Sequence, residues 1–578
     1  MVTQVFEPRS SVEVMIDNGI ILNGPRGYNV GEFLRNLPDY QLDPIVGAVV
    51  NGELRELTFP INYDSKVQPV TMSSADGARI YRRSLTFLLE AAFNDLYPSS
   101  SLTIDHSIAS GGYYCQVFGR NPLDVNELNL LEKYMKTMVD SDLPFIRQEI
   151  PLVEAVAYFD SIGAIDKVRL LSYRTKNYLT LYKLRNRMDY HHGYMVPTTG
   201  YLLWFSLIPT NGGFTLRFPN RNAPTKILPL PEYPKLLQTF RQYGDWLNRL
   251  GISTVGSLND AIRAERIREV ILVSEALHDQ HITNIAGQIA DKSDQVKVVL
   301  IAGPSSSGKT TFAKRLSIAL LARGLSPFPV EMDNYFFDRD STPKDDKGEF
   351  DFESIYAMDT QRLAKDIEKI IDGQPVNLPK FNFVDGKSES GEIVQLESNE
   401  IIILEGIHGL NPQLIPNLPS LRLFRIYVSS LTQLNLDRHN RVSTTDNRLI
   451  RRIARDARER GYSARNTLMR WESVRLGEKR NIFPFQENAD VMFNSALVYE
   501  LSALKPIIEP LLLQVQFGTH EYIEAKRLLS FLEWFLPIDI ELIPDNSILR
   551  EFIGNSILHD FKLWHHKINT NGDYGIIY

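Results

Sequence analysis

The sequence predicts an α/β domain with a mostly parallel sheet and helices on both faces, preceded by two smaller domains. Three observations support this fold class. An apolar run, Val298 to Ala302, leads through a glycine-rich loop into a helical pattern that follows from Phe312 to Arg323. Strand and helix patterns then alternate to about residue 500. Upstream, two strand-like runs flank an Asn51-Gly52 pair, which is typical of a tight hairpin.

The glycine-rich loop, GPSSSGKTT at residues 303–311, matches G-x-x-x-x-G-K-[ST] between a strand and a helix. Glycines permit the tight turn, and backbone N–H groups at a helix start bind phosphate oxygens. Lys309 can reach the β- and γ-phosphates, and the Thr310 hydroxyl can coordinate Mg²⁺. The loop therefore predicts binding of ATP with Mg²⁺, against the alternative of an ordinary Gly/Ser loop. The predicted contacts are Gly303, Ser305, Ser306, Ser307, Gly308, Lys309, Thr310 and Thr311.

Length and composition narrow the remaining possibilities. The 578 residues suggest two to four domains, and 63 Lys+Arg against 70 Asp+Glu give a formal charge of −7, which does not favour broad nucleic-acid binding. The single cysteine, Cys115, excludes an intramolecular disulfide and is typical of a reducing compartment. The N-terminus lacks a signal-peptide pattern, and no uncharged apolar run approaches the roughly 18 residues of a membrane span. We therefore expect a cytoplasmic protein with no membrane contact.

Breaks in the pattern divide the chain into five predicted regions. These are a β-rich domain at 11–73, an α+β domain at 74–225, a helical connector at 226–295, the phosphate-loop domain at 296–517 and a helical C-terminal extension at 518–578 that packs on it. The connector is predicted to contain helices Tyr233–Arg249 and Ala261–Gln288. The phosphate-loop domain is predicted to contain strands Phe328–Met332, Ile401–Leu404, Leu423–Val428 and Val491–Phe493 and helices Asp359–Ile371, Asp446–Arg460 and Ala464–Arg475.

Two carboxylates follow apolar strands beside the predicted loop. Asp333 ends the run through Val330, and at the carboxyl edge of an open sheet it could accept the proton of an attacking hydroxyl. A turn-forming or helix-capping Asp is the alternative. Glu405 ends the fully apolar run Ile401 to Leu404, where it could help Thr310 hold Mg²⁺. A simple strand-end acid is the alternative there.

A basic helix is predicted within residues 447–461, NRLIRRIARDARERG. Arg448, Arg452 and Arg455 follow i, i+4, i+7, which places three guanidinium groups on one face. A solvated charged face is the default interpretation, and nucleic-acid binding is the next. The position between two predicted strands instead favours a lid, because guanidinium forks match phosphate oxygens.

Six stretches together resemble the uridine kinase/phosphoribulokinase family over about 296–500. They are GPSSSGKTTFAKRL, MDNYFF, FDFESIYAMD, LPKFNFVDGK, IIILEGIHGL and RRIARDARERG. The resemblance implies that Asp333 is the catalytic base, that Thr310 and Glu405 bind Mg²⁺, and that Lys309 and Arg452 act on the transferred phosphoryl group. It also implies that Arg455 and Arg460 contact ATP phosphates.

The acceptor side resembles the family only in part. The resemblance implies that Tyr335, Asp351, Phe381 and Arg452 contact a nucleoside. However, the family's F-D-H-P motif reads Phe350-Asp351-Phe352-Glu353, its stacking Tyr is Phe381, and its base-reading His is Gly386. Its Arg after E-R-G is Tyr462, and a later Gln matches Arg470 only loosely. Stacking survives these changes but hydrogen-bond readout of a pyrimidine does not. Kinases of a sugar phosphate or another small alcohol, and an ATP-switched regulator bound to RNA or the ribosome, remain alternatives.

The N-terminal half resembles threonyl-tRNA synthetases. AVVNGELRELTFPINYDSKVQPV resembles a TGS domain, a ubiquitin-like module, and DGARIYRRSLTFLLEAAFNDLYP with MDYHHGYMVPTTGYLLWFSL resembles the editing domain. The editing-site positions are Arg83, Phe87, His191 and Met195 here, so three of the four have lost acid–base and metal-binding groups. We expect neither bound Zn²⁺ nor deacylation of Ser-tRNA, and a polar-surface or packing role for His191 and His192. Contact of this half with tRNA or the ribosome is left open, beside a purely packing role.

Overall fold

The computed structural model describes residues 9–35, 37, 42–108, 111–229, 233–344, 348, 350–382, 385–397 and 400–561, and the backbone of 567–568 and 574–575. Most of the predicted extension beyond 561 therefore lies outside the described residues. Within the described part, no helix combines the length and apolar character that crossing a bilayer requires. Cys115 is buried and free.

The first region is a five-stranded sheet crossed by one short helix. Its elements are β1 Ser11–Ile16, β2 Ile21–Pro25, α1 Val30–Leu34, β3 Ile45–Val50, β4 Glu53–Arg55 and β5 Ser65–Thr71. The strand order is β2-β1-β5-β3-β4, in which β1 and β5 are parallel and the other pairs are antiparallel. Asn51 and Gly52 both adopt positive φ, as the predicted hairpin requires. This arrangement is a β-grasp fold, the fold of the predicted ubiquitin-like module.

The second region is α+β, with one four-stranded and one three-stranded antiparallel sheet. Its long first helix is capped by Ser74, whose hydroxyl accepts a hydrogen bond from Gly77 N. Its elements are α2 Ala75–Leu96, β6 Ser101–Ile108, β7 Gly112–Phe118, α3 Val125–Asp140, β8 Ile146–Pro151, α4 Leu152–Ser161, α5 Ile165–Leu171, β9 Tyr178–Leu184, β10 Arg187–Asp189, β11 Ser206–Thr210 and β12 Gly213–Arg217.

The connector contains three helices rather than the predicted two. These are α6 Pro234–Leu250, α7 Val255–Arg263 and α8 Ile267–Ala290. The prediction of one continuous helix from Ala261 to Gln288 was wrong, because the chain turns at Glu265, which adopts a φ of 59°. Apolar spacing continues through this turn, and hydrophobic periodicity alone cannot detect the break.

The third region is a parallel five-stranded sheet in the order β14-β17-β13-β18-β19. The predicted strands and helices are all present, with small differences at their ends. An antiparallel hairpin, β15–β16, stands apart from the sheet. The elements are β13 Val298–Ala302, α9 Lys309–Leu321, β14 Ser326–Glu331, α10 Thr360–Ile371, β15 Val376–Asn382, β16 Lys387–Val394, β17 Glu400–Glu405, β18 Leu423–Ser429, α11 Thr444–Glu459, α12 Ala464–Asn481 and β19 Val491–Asn494.

Helices cover both faces of this sheet because the central strand is apolar on both sides. Val299 and Ile301 pack against α8 and α9, whereas Val298 and Leu300 pack against α10. The connector helix α8 therefore completes one face of the sheet. The carboxyl ends of all five strands meet at one edge, where ligands bind in open α/β sheets.

The C-terminal residues pack on the phosphate-loop domain. Helices α13 Glu500–Leu513 and α14 His520–Leu532 share a hydrophobic core with α11 and with the connector. A further segment, residues 544–561, returns to the phosphate loop and contains the short helix α15 Arg550–Ile553. We call it the C-terminal segment.

Candidate active site

The phosphate loop joins β13 to α9 with a strained backbone. Gly308 has a φ of 82° and Ser306, which is not a glycine, a φ of 57°. A Cβ at Gly303 would lie 1.9 Å from Val428 O, and a Cβ at Gly308 would lie 2.5 Å from Ile548. Close packing therefore requires glycine at both positions, and at Gly308 the positive φ requires it as well.

The phosphate loop contains buried hydroxyl groups that have no hydrogen-bond partner. The Ser306 and Ser307 hydroxyls are buried without a hydrogen-bond partner, and the Lys309 ammonium donates to Pro304 O at 3.2 Å. Unsatisfied buried donors are rare in folded proteins and often mark a ligand site. The observation fits a loop shaped for an anion with several acceptor oxygens.

The two residues predicted to bind Mg²⁺ are adjacent. Thr310 Oγ1 donates to Glu405 Oε2 at 3.3 Å, and hard oxygen ligands of this kind suit Mg²⁺. Burial raises the pKa of Glu405 to about 7, the Lys309 ammonium opposes this shift, and the Asp333 carboxylate adds to it. A divalent cation would offset this concentration of negative charge.

Asp333 lies just beyond β14, in the cleft beside Lys309. Its side chain reaches solvent, but the surrounding protein desolvates the carboxyl and raises its pKa. The charges of Lys309 and Arg460 oppose this shift, whereas that of Glu331 adds to it. The structure therefore places the charged groups of Asp333, Lys309 and Arg460 close enough to influence one another.

The three arginines predicted to share a face of the basic helix all turn toward the loop. Arg448 Nε donates to Ser305 O at 3.0 Å, and Arg452 Nη1 donates to Ser305 Oγ at 2.9 Å. One turn later, Arg455 reaches Glu551 of the C-terminal segment at 3.4 Å. This placement agrees with a role near the phosphates of a nucleotide.

The interpretation of this helix as a solvated charged face is wrong for two of its arginines. Arg448 is buried in an ion pair with Glu478 of α12, and Arg451 is fully buried against Glu500 of α13. Buried guanidinium groups require such partners. Glu478 also accepts a hydrogen bond from Ser305 N at 2.9 Å. This carboxylate therefore engages an N–H group of a residue that is predicted to contact the nucleotide.

A second carboxylate of the loop comes from the C-terminal segment and was not found from the sequence. Glu551 Oε2 accepts hydrogen bonds from Thr311 Oγ1 at 2.9 Å and from Thr311 N at 3.4 Å. Arg458 donates to the Glu551 carbonyl at 2.7 Å, which fixes the segment on α11. The Glu551 carboxylate therefore accepts hydrogen bonds from Thr311 and Arg455, two residues predicted to bind the nucleotide. No pattern within 544–561 points to this contact.

On the acceptor side, Glu353 extends into the same cleft. Burial raises its pKa to about 7, the Glu478 charge adds to the shift, and the Arg452 and Lys309 charges oppose it. Gly477 of α12 allows this approach, since a Cβ there would lie 2.4 Å from Glu353 Cβ. Glu353 stands where the F-D-H-P motif of the resembling family has Pro, and the sequence did not indicate that it extends into the cleft.

The residues predicted to contact the acceptor differ in where the structure places them. Asp351 Oδ1 accepts from Glu353 N at 3.2 Å and so orders the local turn. Phe381 lies in β15 with its ring 6.0 Å from that of Phe336. The Tyr335 side chain is buried in the core, where its hydroxyl donates to Asp366 at 3.2 Å, so the structure does not present it to an acceptor.

Gly386, where the family has its base-reading His, packs against an arginine. A Cβ at this position would lie 2.9 Å from Arg339 Nε and 3.0 Å from Arg339 Cζ. The space near the missing imidazole is therefore taken by a guanidinium group. Further along, the Arg470 guanidinium lies 5.1 Å from the Tyr462 ring centroid, so two departures from the family contact each other.

The four editing-site positions do converge, but mainly as a packed cluster. The Phe87 and His191 rings are 5.2 Å apart, and Met195 is buried beside them. Arg83 Nη1 donates to the Tyr194 carbonyl at 2.6 Å. His191 is buried and His192 is half-buried, and their rings pack against those of Phe87 and Trp534 respectively.

Sequence comparison now adds to this geometry. Residues 298–502 match the profile of the Phosphoribulokinase / Uridine kinase family. The chain carries a domain of this family. We call these residues the kinase-family domain.

The N-terminal region matches a different group of proteins. The chain is 36% identical over 166 residues to a threonine–tRNA ligase of Laribacter hongkongensis and 30% identical over 199 residues to that of Lawsonia intracellularis. These alignments cover 28% and 34% of this chain but only 26% and 31% of the ligases, so the chain spans about a quarter to a third of these relatives.

Among solved structures, a possible uridine kinase from Bacillus stearothermophilus is similar to 36% of this chain and 100% of its own, at 17% identity. Its TM-score of 0.24 is too low to support any inference about function.

Lys309→Ala should lower kcat by roughly 10²–10³, because it removes one preorganised positive charge from the phosphate loop. Steady-state ADP release measures the effect, and circular dichroism checks the fold. Lys297→Ala, before the opposite end of β13, is the control and should keep activity. Near-normal turnover of a folded Lys309→Ala variant would contradict the assignment of the loop.

Glu551→Gln should tighten binding of a non-hydrolysable ATP analogue about twofold to fivefold. It removes the Glu551 negative charge that contacts Thr311 and Arg455, and a partly exposed charge interaction contributes about 0.5–1 kcal/mol of free energy. Isothermal titration calorimetry with Mg²⁺ measures the affinity. Glu541→Gln, an exposed change near the same segment, should have no effect. Weaker binding by Glu551→Gln would instead indicate that Glu551 helps to hold the nucleotide.

Glu353→Gln should stabilise the protein more at pH 8 than at pH 5. Because the pKa of Glu353 is raised from 4.5 to about 7 in the folded chain, only the unfolded chain releases the proton between these values. Stability of the wild type therefore falls as pH rises through this window. We expect a gain of roughly 1–3 kcal/mol at pH 8 in urea unfolding. The exposed Glu389→Gln serves as control, and an equal effect at both pH values would refute the environment described.

Proposed function

We propose that this protein is an ATP- and Mg²⁺-dependent kinase that transfers the γ-phosphoryl group to a hydroxyl of a small molecule. The family match of residues 298–502 supports this function. The observation that carries it is the convergence of Asp333, Lys309 and the Thr310–Glu405 pair at the carboxyl edge of one parallel sheet. These are the groups that in-line phosphoryl transfer requires.

Each group would have a distinct role. Asp333 would accept the hydroxyl proton as the new O–P bond forms, and its raised pKa brings it closer to the working pH of a general base. Lys309 and the loop N–H groups would orient the phosphates. Mg²⁺ held by Thr310 and Glu405 would offset their charge. Arg452, which already contacts the loop through Ser305, would stabilise charge on the transferred group.

The acceptor is proposed to be a nucleoside or a similar hydroxyl compound. Phe381 keeps an aromatic surface on which a base could stack, and Asp351 keeps the carboxylate that the family places on the ribose. Gly386 has no side chain that could form hydrogen bonds with the edge of a pyrimidine base. This combination favours a nucleoside-sized acceptor with little selectivity for its base.

A second candidate acceptor is an anionic alcohol such as a sugar phosphate. The observation that favours it is Arg339, whose guanidinium packs directly over Gly386. Arginine matches phosphate and carboxylate oxygens in a bidentate geometry, whereas it has no comparable preference for an uncharged nucleoside. A panel of nucleosides, sugar phosphates and neutral alcohols distinguishes the two, with acceptor-dependent ADP release as the readout.

Asp333→Asn should lower acceptor-dependent kcat by about 10²–10⁴ and leave ATP affinity nearly unchanged, because it removes basicity but keeps size and polarity. The measurements are ADP release with the best acceptor and calorimetry with an ATP analogue. Asp340→Asn, an exposed change in the same stretch, is the matched control.

Two results would contradict the kinase proposal. One is a wild-type protein whose ADP release no acceptor stimulates, and the other is normal turnover by Asp333→Asn. Salt-dependent tRNA binding together with the first result would support the alternative of an ATP-switched RNA-associated regulator.

A further inference from the structure

A buried cluster of two carboxylates and two imidazoles lies where the N-terminal half meets the kinase-family domain. Glu90 comes from α2, Asp189 ends β10, and His191 follows it. His439 comes from residues 430–443, which precede α11 and which we call the junction segment. All four side chains are at least nine-tenths buried. None of them takes part in the proposed phosphoryl transfer.

Their potential ligand atoms face one another. One such atom each from Glu90, Asp189 and His191 lies within 4.8 Å of the others. His439 Nδ1 is 3.0 Å from Asp189 Oδ2 and 3.2 Å from Glu90 Oε2, and His191 Nε2 is 3.8 Å from Glu90 Oε2. Two ligands of a tetrahedral Zn²⁺ ion lie roughly 3.3 Å apart, given the usual metal–ligand distances. The cluster is close to that spacing.

One of these atoms is unsatisfied. His191 Nε2 is buried without a hydrogen-bond partner and lies 3.8 Å from Glu90 Oε2, which already pairs with His439 Nδ1 at 3.2 Å. An unpaired polar atom in a dry environment costs free energy. A ligand shared with Glu90 would satisfy the His191 imidazole.

The surrounding charges leave a negative excess. Glu90, Asp189 and Asp437 are three carboxylates in contact with the cluster, and Lys167 supplies one ammonium, 2.9 Å from Asp189 Oδ1 and 3.0 Å from Asp437 Oδ1. The nearby Asp166 and Arg438 pair with each other at 2.6 Å. Without a metal ion, a protonated His439 between Glu90 and Asp189 offsets one of the two remaining negative charges. A divalent cation that takes the place of this proton would neutralise both.

We propose that Glu90, Asp189 and His191 bind one divalent transition-metal ion and that His439, which pairs with both carboxylates, supplies the fourth ligand when its proton leaves. Imidazole nitrogen with carboxylate oxygen is a ligand set suited to Zn²⁺, and four protein ligands would make the site a structural one. Of the editing-site positions only His191 takes part, since Arg83, Phe87 and Met195 contribute nothing. The expectation of no bound Zn²⁺ considered only those positions and is revised here.

The ion would join two parts of the molecule. Three ligands belong to the N-terminal half, and His439 belongs to the junction segment. That segment leads into α11, whose Arg448 and Arg452 contact Ser305 of the phosphate loop. Metal binding would therefore stabilise the packing of the N-terminal half against the kinase-family domain.

Metal content of the full-length protein, purified without a metal-affinity step, tests this directly. We expect about one equivalent of metal per chain, or uptake of one equivalent of Zn²⁺ or Co²⁺ after chelation. Co²⁺ should show the visible absorption of a four-coordinate site. Chelation should lower the unfolding temperature.

Three variants sharpen the test. His191→Gln and Glu90→Gln should each weaken Zn²⁺ binding by more than about tenfold in competition with a chromophoric chelator. His192→Gln is the matched control, because His192 Nε2 is also buried without a partner but the ring faces Trp534, 4.9 Å between ring centroids. It should bind metal like the wild type.

Two results would overturn the proposal. One is a wild-type protein that takes up less than about 0.1 equivalent of Zn²⁺, Co²⁺ or Mn²⁺ and shows no four-coordinate Co²⁺ absorption. The other is unchanged affinity in both ligand variants. The Co²⁺ spectrum of the wild type decides the question even if the variants fail to fold.

Discussion

The packing of the two halves depends on one buried ammonium group. Lys167 of α5 is 1% exposed and lies between Asp189 of β10 and Asp437 of the junction segment. A charge removed from water costs several kcal/mol unless its partners are in place, and leaving one partner alone is more costly than keeping the pair. Because Asp437 belongs to the kinase-family domain, this ammonium keeps both carboxylates only while the two halves are packed together. A hydrophobic core that includes Phe159 and Tyr190 of the N-terminal half and Leu436 of the junction segment surrounds this contact.

The junction segment gives this constraint a functional consequence. Its backbone and side chains also bind the edge of β6, where Ile104 N donates to Arg438 O at 2.8 Å and Asn435 donates to Ile104 O. The same segment continues into α11, which contacts the phosphate loop. Packed contacts therefore run without a break from the N-terminal half to the arginines of the candidate active site. A ligand of the N-terminal half can influence the active site through these contacts only if the packed residues have two alternative arrangements.

The phosphate loop is surrounded by more carboxylates than a nucleotide site alone would need. Glu478 and Glu551 hold the donors of Ser305 and Thr311, and Glu405 and Asp333 lie near Lys309. Donors at a helix start are unsatisfied without an anion, so protein carboxylates can take the positions of phosphate oxygens. Both Glu478 and Glu551 come from helices beyond the loop. The order of the loop in this structure thus depends on distant parts of the chain.

The sequence by itself determined the local features of this protein. Apolar periodicity located the strands of the parallel sheet, and the spacing of Gly303, Gly308 and Lys309 located the phosphate loop, since both depend on residues a few positions apart. The tertiary structure alone decided which distant groups meet. Glu478 and Glu551 reach the loop through helix packing, and Glu353 reaches the cleft beside Gly477. His439 reaches Glu90 and Asp189 across the domain boundary, and none of these contacts has a local signal. The break at Glu265 was likewise hidden, because apolar spacing continues through the turn. Contacts between residues far apart in the chain follow from the packing of whole elements, which periodicity and motif spacing do not contain.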